Sequence, residues 1–299
     1  MRVGIVGYGN LGKAIEKQLK NDKDLELVAI FSRRKLINTV SFDRILEYKE
    51  KIDYLFICVG SKTDLETTAM ALIQNFNIVD TYDNHARIHD YLNMINKCAI
   101  ENKKVALCSM GWDPGLFSYV RALFYLLGCE PFTFWGKGLS QGHTEAIKSL
   151  NGVKDAIQFT LPNNHIKRKI LCKKYNDFMQ KLHYRLCYVV ADKQFRYEIK
   201  NSIVNMPNYF YGYKTKVVFV NQNKLNKLKT FKHRGEVITL GDAMHFSLKL
   251  ESNPMFTAKI AIQFSKSMAK LIEKEQFGAY TILDLPLSSI GRQDFAKFL

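Results

Sequence analysis

Three glycines spaced Gly7-x-Gly9-x-x-Gly12 are the first residues whose spacing has a chemical reason. In such a turn the first glycine permits a tight bend and the second lets backbone lie against a pyrophosphate. The third lets the following helix pack on the preceding strand. The helix start then offers unpaired N–H groups and a positive dipole end to phosphates. Here the turn follows an apolar run at Arg2–Val6 and precedes Leu11, Ala14, Ile15 and Leu19 on one helical face. Gly7, Tyr8, Gly9, Asn10, Leu11 and Gly12 are therefore read as a dinucleotide-binding turn. A second strand, Leu25–Phe31, runs into Ser32-Arg33-Arg34. An acidic residue at that place would hold a ribose 2′-hydroxyl, whereas a hydroxyl and two guanidiniums match a 2′-phosphate. The expected cofactor is NADP.

Further polar residues gather where apolar runs end: Gly60-Ser61, Asp80-Thr81-Tyr82-Asp83-Asn84-His85 and Ser109-Met110-Gly111-Trp112-Asp113-Pro114-Gly115. Two carboxylates at neighbouring strand ends, Asp83 and Asp113, could hold and orient an ammonium. Oxidation of an amine-bearing carbon needs hydride removal by a nicotinamide, so the protein mainly positions the C–H bond and tunes charge. Either carboxylate could assist proton transfer, and the sequence does not choose between them. Both also have a plain reading as turn residues, Asp113 because Asp-Pro-Gly is a common turn signal. Arg185 reads equally as a bidentate carboxylate partner or an exposed arginine. Taken alone, His183 and His233 read as structural or solvent-facing, and His143 and His245 receive no role.

The elements that must position these residues come in two rhythms. The first 118 residues alternate short apolar runs with helical periodicity: Tyr54–Val59, Asn77–Val79 and Val105–Cys108 as strands, with helices on Leu65, Ala69, Leu72, Ile73 and Phe76 and on Ile88, Tyr91, Leu92 and Ile95. That pattern predicts a doubly wound parallel sheet, whose ligand crevice lies at the strands' carboxyl ends. From Phe132 the strands Phe132–Trp135, Ala156–Leu161, Leu182–Asp192, Thr215–Val220, Glu236–Leu240 and His245–Leu250 follow with few helices between. In Leu182–Val190 the even positions are apolar, and His183, Arg185 and Cys187 lie on the other face. This is a half-exposed alternation, and a helix near Phe195–Val204 is expected over the apolar side. Asn253-Pro254 opens a last long helix that should return to the first domain. The fold class is thus α/β, a Rossmann-type sheet plus a second α+β domain with a mixed or antiparallel sheet. The expected domains are 1–117 with 253–299, binding NADP, and 118–252, for substrate and dimerisation.

Composition limits the alternatives. A hydrophobic share of 47% supports ordinary cores, and no apolar run is long enough to span a bilayer. The strand pattern begins at Arg2, which leaves no signal peptide. Six scattered cysteines without Cys-x-x-Cys spacing predict a reducing, cytoplasmic setting and no metal. The net charge of +16 concentrates in Lys167–Lys169, Lys173-Lys174 and Lys224–Arg234. These segments lack interleaved aromatics or a nucleic-acid module, so solvated faces are the simpler reading, without nucleic-acid or membrane partners.

In their joint order the loops above, with Phe134-Trp135-Gly136, Gly138-Leu139-Ser140-Gln141-Gly142-His143, Thr160-Leu161-Pro162, Val189-Val190-Ala191-Asp192, Met206-Pro207 and Asn253-Pro254, resemble the meso-diaminopimelate dehydrogenase family. The resemblance implies a homodimer that carries out NADP-dependent, reversible oxidative deamination at the D-centre of meso-diaminopimelate. The products would be L-2-amino-6-oxopimelate and ammonia, in lysine and cell-wall precursor metabolism. It implies that Asp83 and Asp113 hold the reacting ammonium, with Trp112, Trp135, Gln141 and Gly142 beside it. Thr160, Arg185, His233 and Asn253 would bind the distal L-centre. Cys58, Val59, Gly60, Ser61, Tyr82, Asp83, Pro114, Gly115, Leu116, Phe117 and Ser118 would join the cofactor contacts. Stretches 163–182 and 242–247 are shorter than the family pattern. Two rivals remain: another NADP-dependent reductase with a lysine or histidine acid–base group, and a non-catalytic NADP- or nucleic-acid-binding protein suggested by charge alone.

Overall fold

A computed structural model describes residues 1–298 except 61–63, 175–181, 229–232, 241 and 291–294, and leaves out the side chains of Gln141 and Ala296. The chain divides into two compact units, Met1–Tyr119 with Pro254–Leu299, and Val120–Asn253. In the first unit β1 (Arg2–Val6), β2 (Glu26–Ser32), β3 (Val40–Ser41), β4 (Tyr54–Ile57), β5 (Asn77–Asp80) and β6 (Val105–Leu107) join the C-terminal strand Gly278–Tyr280 in one sheet. Its order is Gly278–Tyr280, β6, β5, β4, β1, β2, β3. Every pairing is parallel. The order reverses at β1, the switch point at which such sheets open a crevice.

Strand alternation sends neighbouring residues to opposite faces. Val3, Ile5, Tyr54 and Phe56 meet Ala14 and Ile15 of α1 (Asn10–Leu19) and Ala258, Ala261 and Ile262 of the helix Asn253–Ser265. Val6, Leu55 and Ile57 meet Leu65 and Ala69 of α2 (Leu65–Leu72) and Tyr91 and Ile95 of α3 (Ile88–Glu101). β4 is buried at every position, as a doubly covered strand must be. The last long helix does return to this core, but as two pieces, Asn253–Ser265 and Met268–Glu273. Between them Lys266 turns to Asp22 and Asp24 at 2.9 and 2.8 Å.

After β6 the chain folds into a tight loop before α4 (Leu116–Leu126). Ser109 has φ +58° and Gly115 φ +128°, and Asp113-Pro114 is cis. Gly111 and Gly115 form a β-bridge, and the Leu116 and Phe117 N–H groups donate to Gly111 and Trp112 carbonyls. A Cβ on Gly115 would lie 1.8 Å from the Gly111 carbonyl oxygen, so only glycine fits.

The second unit holds β7 (Glu130–Trp135), β8 (Gly138–Leu139), β9 (Val153–Pro162), β10 (His183–Ala191), β11 (Thr215–Phe219), β12 (Arg234–Leu240) and β13 (His245–Lys249). They form a four-stranded sheet, β11-β10-β9-β8, and a three-stranded one, β13-β12-β7. Among the described residues only the β10–β11 pair is parallel. Helices α5 (Gln141–Lys148), α6 (Asn164–Leu171), α7 (Arg196–Val204) and α8 (Gln222–Leu228) accompany them.

The faces of β10 correct the sequence reading. Its odd positions, His183, Arg185, Cys187, Val189 and Ala191, are the buried ones, while the even, more apolar positions are half-buried. Ile199 and Ile203 of α7 pack on Cys187, Val189 and Ala191. The even face is shared with Leu225 and Leu228 of α8. Polar side chains lie on the deeper face because they have partners there. Among the described residues no helix is long and apolar enough to cross a membrane.

The Gly115 loop makes a stability prediction. Gly115→Ala should lower thermal stability beyond the about 1–3 kcal/mol of one strained residue, because backbone must move. Gly128→Ala, at φ +80° with nothing within 4 Å of the added Cβ, should cost only about 1–2 kcal/mol. Equal shifts in melting temperature for the two variants would contradict the close-approach argument.

Candidate functional site

The glycine turn forms as its residue types require. Gly7 has φ +94°, and a Cβ there would press on the Cys58 carbonyl oxygen at 2.9 Å. A Cβ on Gly12 would lie 2.1 Å from the Gly7 carbonyl oxygen, so α1 starts directly on the turn. Gly9 has nothing within 4 Å of its missing side chain, and open space faces its backbone. That space is a cavity of about 360 Å³, lined by Gly7, Tyr8 and Gly9 together with Ser32, Arg33, Arg34, Cys58, Val59 and Gly60. Glycine turn and arginine pair therefore share one pocket, as a dinucleotide with a 2′-phosphate demands. The Arg34 N–H donates to Ser32 Oγ at 3.0 Å, which folds the segment back on itself. Cys58 is a neutral thiol there, since burial pushes its pKa up.

Asp64 also lines this cavity, and the sequence reading missed it. Arg33 Nη2 donates to Asp64 Oδ2 at 2.8 Å. The ion pair is largely exposed, so it is weak and can open for a stronger anion. Asn10 and Leu11 begin α1 outside the cavity lining, and Ser61 lies outside the described residues.

Tyr82, Asp83, Pro114, Gly115, Leu116, Phe117 and Ser118 are likewise not in that cavity; they follow the carboxyl ends of β5 and β6. Tyr82 is fully buried, with its hydroxyl donating to Glu66 Oε1 at 2.5 Å and its N–H to Asp80 Oδ1 at 2.9 Å. Phe117 is also buried and meets Trp112 edge-on at 5.2 Å. Asp83 is exposed and Asp113 half-buried, both beyond the strand ends of the same sheet edge.

In the second unit the polar residues of β9 and β10 converge. Arg185 and Thr160 are register partners, and Arg185 Nη1 donates to Thr160 Oγ1 at 2.7 Å. The guanidinium lies 4.3 Å over the Tyr213 ring. Arg185 is 7% exposed, and no carboxylate among the described residues pairs with it. Its Nε and the nearby Gln158 Oε1 are buried without partners. Burial pulls the guanidinium's pKa down, and Tyr213 opposes that.

Around this cation, side chains are bonded to one another and to backbone. The Trp135 N–H donates to His183 Nε2 at 2.8 Å, and the two rings stack at 4.9 Å. Gly136, at φ +111°, lets the chain pass Thr160, whose carbonyl oxygen would be 2.2 Å from an added Cβ. His143 Nδ1 shares a hydrogen bond with Ser140 Oγ at 2.8 Å. Burial, and then the charge of Arg185, hold His143 and His183 near a pKa of about 3, so both imidazoles are neutral. His233 is lowered by burial as well and bonds to Leu139 backbone beside Gly138. Gly142 is exposed with open space around it, and Asn253 stands at the first position of its helix. The side chain of Gln141 is outside the described residues.

Sequence reading thus missed Gln158, His183 and Tyr213 as parts of this cluster. Gln158 and His183 each sit two residues from a named one on the same strand face, which is a usable signal. Tyr213, in the turn before β11, offers none. The Lys167 cluster is partly engaged elsewhere, with Lys167 pairing to Glu236 at 2.5 Å.

Residues 111–252 match the family model of the diaminopimelic acid dehydrogenase C-terminal domain. The chain is 37% identical to the meso-diaminopimelate D-dehydrogenase of Ureibacillus thermosphaericus, covering 100% of this chain and 99% of that protein. It is 40% identical to the Corynebacterium glutamicum enzyme of the same name, over 95% of this chain and 93% of the other. The solved C. glutamicum DAP dehydrogenase in complex with DAP superposes with a TM-score of 0.93 at 37% identity, covering 100% and 98% of the two chains. An engineered D-amino acid dehydrogenase bound to NADP⁺ superposes at 0.90 with 36% identity, over the same shares.

Two predictions come from this geometry. Replacing Arg33 and Arg34 together by alanine should weaken NADP far more than NAD, by roughly 1.5–3 kcal/mol per charged hydrogen bond lost. Equal losses in a binding titration would remove the 2′-phosphate reading. The second concerns acid. His143 and His183 titrate lower folded than unfolded, so their contribution to stability is complete above about pH 6.5 and declines toward about pH 3. Melting temperature should fall across that window, and less steeply in His183→Gln; identical slopes would contradict it.

Proposed function

The chain belongs to the meso-diaminopimelate D-dehydrogenase family, and from that premise we propose how its residues divide the work. It is an NADP-dependent oxidoreductase that oxidatively deaminates the D-centre of meso-2,6-diaminopimelate, reversibly, to L-2-amino-6-oxopimelate and ammonia. The unit Met1–Tyr119 with Pro254–Leu299 takes the cofactor, and Val120–Asn253 takes the distal end of the substrate and the dimer contact. The protein works as a homodimer in the cytoplasm, in lysine and cell-wall precursor metabolism.

Bound NADP⁺ supplies the hydride acceptor. The Gly7–Gly12 turn would hold the pyrophosphate, and Ser32, Arg33 and Arg34 the 2′-phosphate, with Arg33 leaving Asp64 for the more highly charged group. Asp83 and Asp113 hold the ammonium of the D-centre and fix its C–H bond. That amine must lose a proton before hydride leaves, and one of the two carboxylates takes it. Water then adds to the substrate's iminium carbon and ammonia departs, which balances the reaction. Trp112, in the same loop as Asp113, would shield the reacting centre from other water.

The observation that carries the substrate assignment is Arg185. A buried guanidinium is costly without a counter-charge, and this one has a hydroxyl, a ring and an unbonded Nε. A carboxylate arriving between Arg185 and Thr160 would complete it, with His233 and Asn253 beside the L-amino group. Neutral His143 and His183 leave the positive charge of Arg185 undisputed by neighbouring imidazoliums.

Binding energy from the remote end then fixes the reacting one. Arg185→Ala should lower kcat/KM for meso-diaminopimelate by at least about 2 kcal/mol and leave NADP affinity unchanged. Asp113→Asn should depress kcat with NADP binding intact. If Arg185→Ala kept near-normal kcat/KM, or lost NADP in parallel, the remote-clamp role would be wrong.

A further inference from the structure

A fully buried carboxyl group joins the two loops that carry Asp83 and Asp113. It belongs to Asp80, the last residue of β5. Its Oδ1 accepts from the Tyr82 and Ser109 N–H groups, both at 2.9 Å, and its Oδ2 accepts from the Tyr91 hydroxyl at 2.5 Å. The Asp80 carbonyl also accepts from the Met110 N–H at 2.8 Å. Tyr82 and Tyr91 stack with centroids 4.2 Å apart. Tyr82 is further tied to Glu66, which pairs with Arg87 at 3.1 Å.

The place of this network is informative. Ladder pairing between β5 and β6 stops at Val79 and Leu107, and although Asp80 stays in register with Ile57 of β4, among the described residues no ladder pair joins it to the end of β6. The Asp80 side chain takes over there. It grips Tyr82, one residue before Asp83, and Ser109, which opens the loop leading to Asp113. Desolvating a carboxyl group is costly, and an apolar residue could close the same core without that cost. Burial does raise its pKa, and the Ser109, Tyr91, Tyr82 and Cys108 donors oppose the rise.

The geometry points to Asp80, backed by Tyr91, as a positioning residue that sets the spacing and aim of Asp83 and Asp113 without touching the substrate. The inference rests on the catalytic reading of those two carboxylates. A misplacement of about 1 Å at reacting groups costs on the order of 100-fold in rate.

Asp80→Asn and Tyr91→Phe test it, with Tyr54→Phe as control. Tyr54 donates to Ser265 Oγ at 2.9 Å in the same unit, and its loss removes a buried hydrogen bond far from either loop. Saturating turnover, corrected for the folded fraction, is measured with NADP affinity and melting temperature. Asp80→Asn should lose about 10- to 100-fold in kcat and Tyr91→Phe about 3- to 10-fold, with NADP affinity within about threefold. The control should lose stability and keep its kcat. If Asp80→Asn does not fold, Tyr91→Phe decides. Full kcat in Tyr91→Phe, or a matching loss in Tyr54→Phe, would overturn the proposal. Asp83→Asn and Asp113→Asn run in parallel separate the two readings. If they keep kcat, the site assignment fails; if they lose it while the Asp80 and Tyr91 variants do not, the positioning role alone fails.

Discussion

Because every strand of the first unit runs the same way, each delivers its following loop to one edge of the sheet. Parallel direction is what places a glycine turn after β1, an arginine pair after β2 and two carboxylates after β5 and β6 along one edge. Burial enforces it. Strands such as β4 are apolar at every position, so the edge is where polar chemistry can be placed at no cost to the core. Polar groups inside that edge must then be bonded, and Asp80 meets the requirement with the Tyr82 and Ser109 N–H groups, the Tyr91 hydroxyl and the Cys108 thiol.

The second unit solves a different problem with an uncompensated charge. Its sheet buries the face that carries His183 and Arg185, keeps the imidazoles neutral and leaves a guanidinium short of partners. Such an arrangement costs stability in the free protein and returns it on binding an anion. The two ends of meso-diaminopimelate carry the same charges, so on this account the end that is oxidised follows from the hand of each centre.

Much of this was legible in residue order. Gly7-x-Gly9-x-x-Gly12 and Ser32-Arg33-Arg34 are local in sequence, and their chemistry is fixed by neighbours a few residues away. The strands announced themselves by apolar runs, although Val40–Ser41 and Gly278–Tyr280 were too short to carry a pattern. The face of β10 was misjudged because alternation reveals two faces but not which one lies deeper. Leu186 and Tyr188 looked like core, yet polar residues with partners took the buried side. Asp64 and Tyr213 were missed for a related reason, since their arginine partners are distant in sequence; Asp80 was read only as part of its loop, because its tie to Ser109 appears only when the strands are assembled.

Stereochemistry tests the central claim most directly. NADPH formation should be measured with separated meso-, LL- and DD-diaminopimelate, under saturating NADP⁺. One D-centre at the carboxylate edge and one L-centre at Arg185 predict rapid turnover of the meso isomer and essentially none of the LL isomer. The DD isomer should react slowly, because its remote end has the wrong hand. Turnover of LL-diaminopimelate at the meso rate, or an inert meso isomer, would contradict the account.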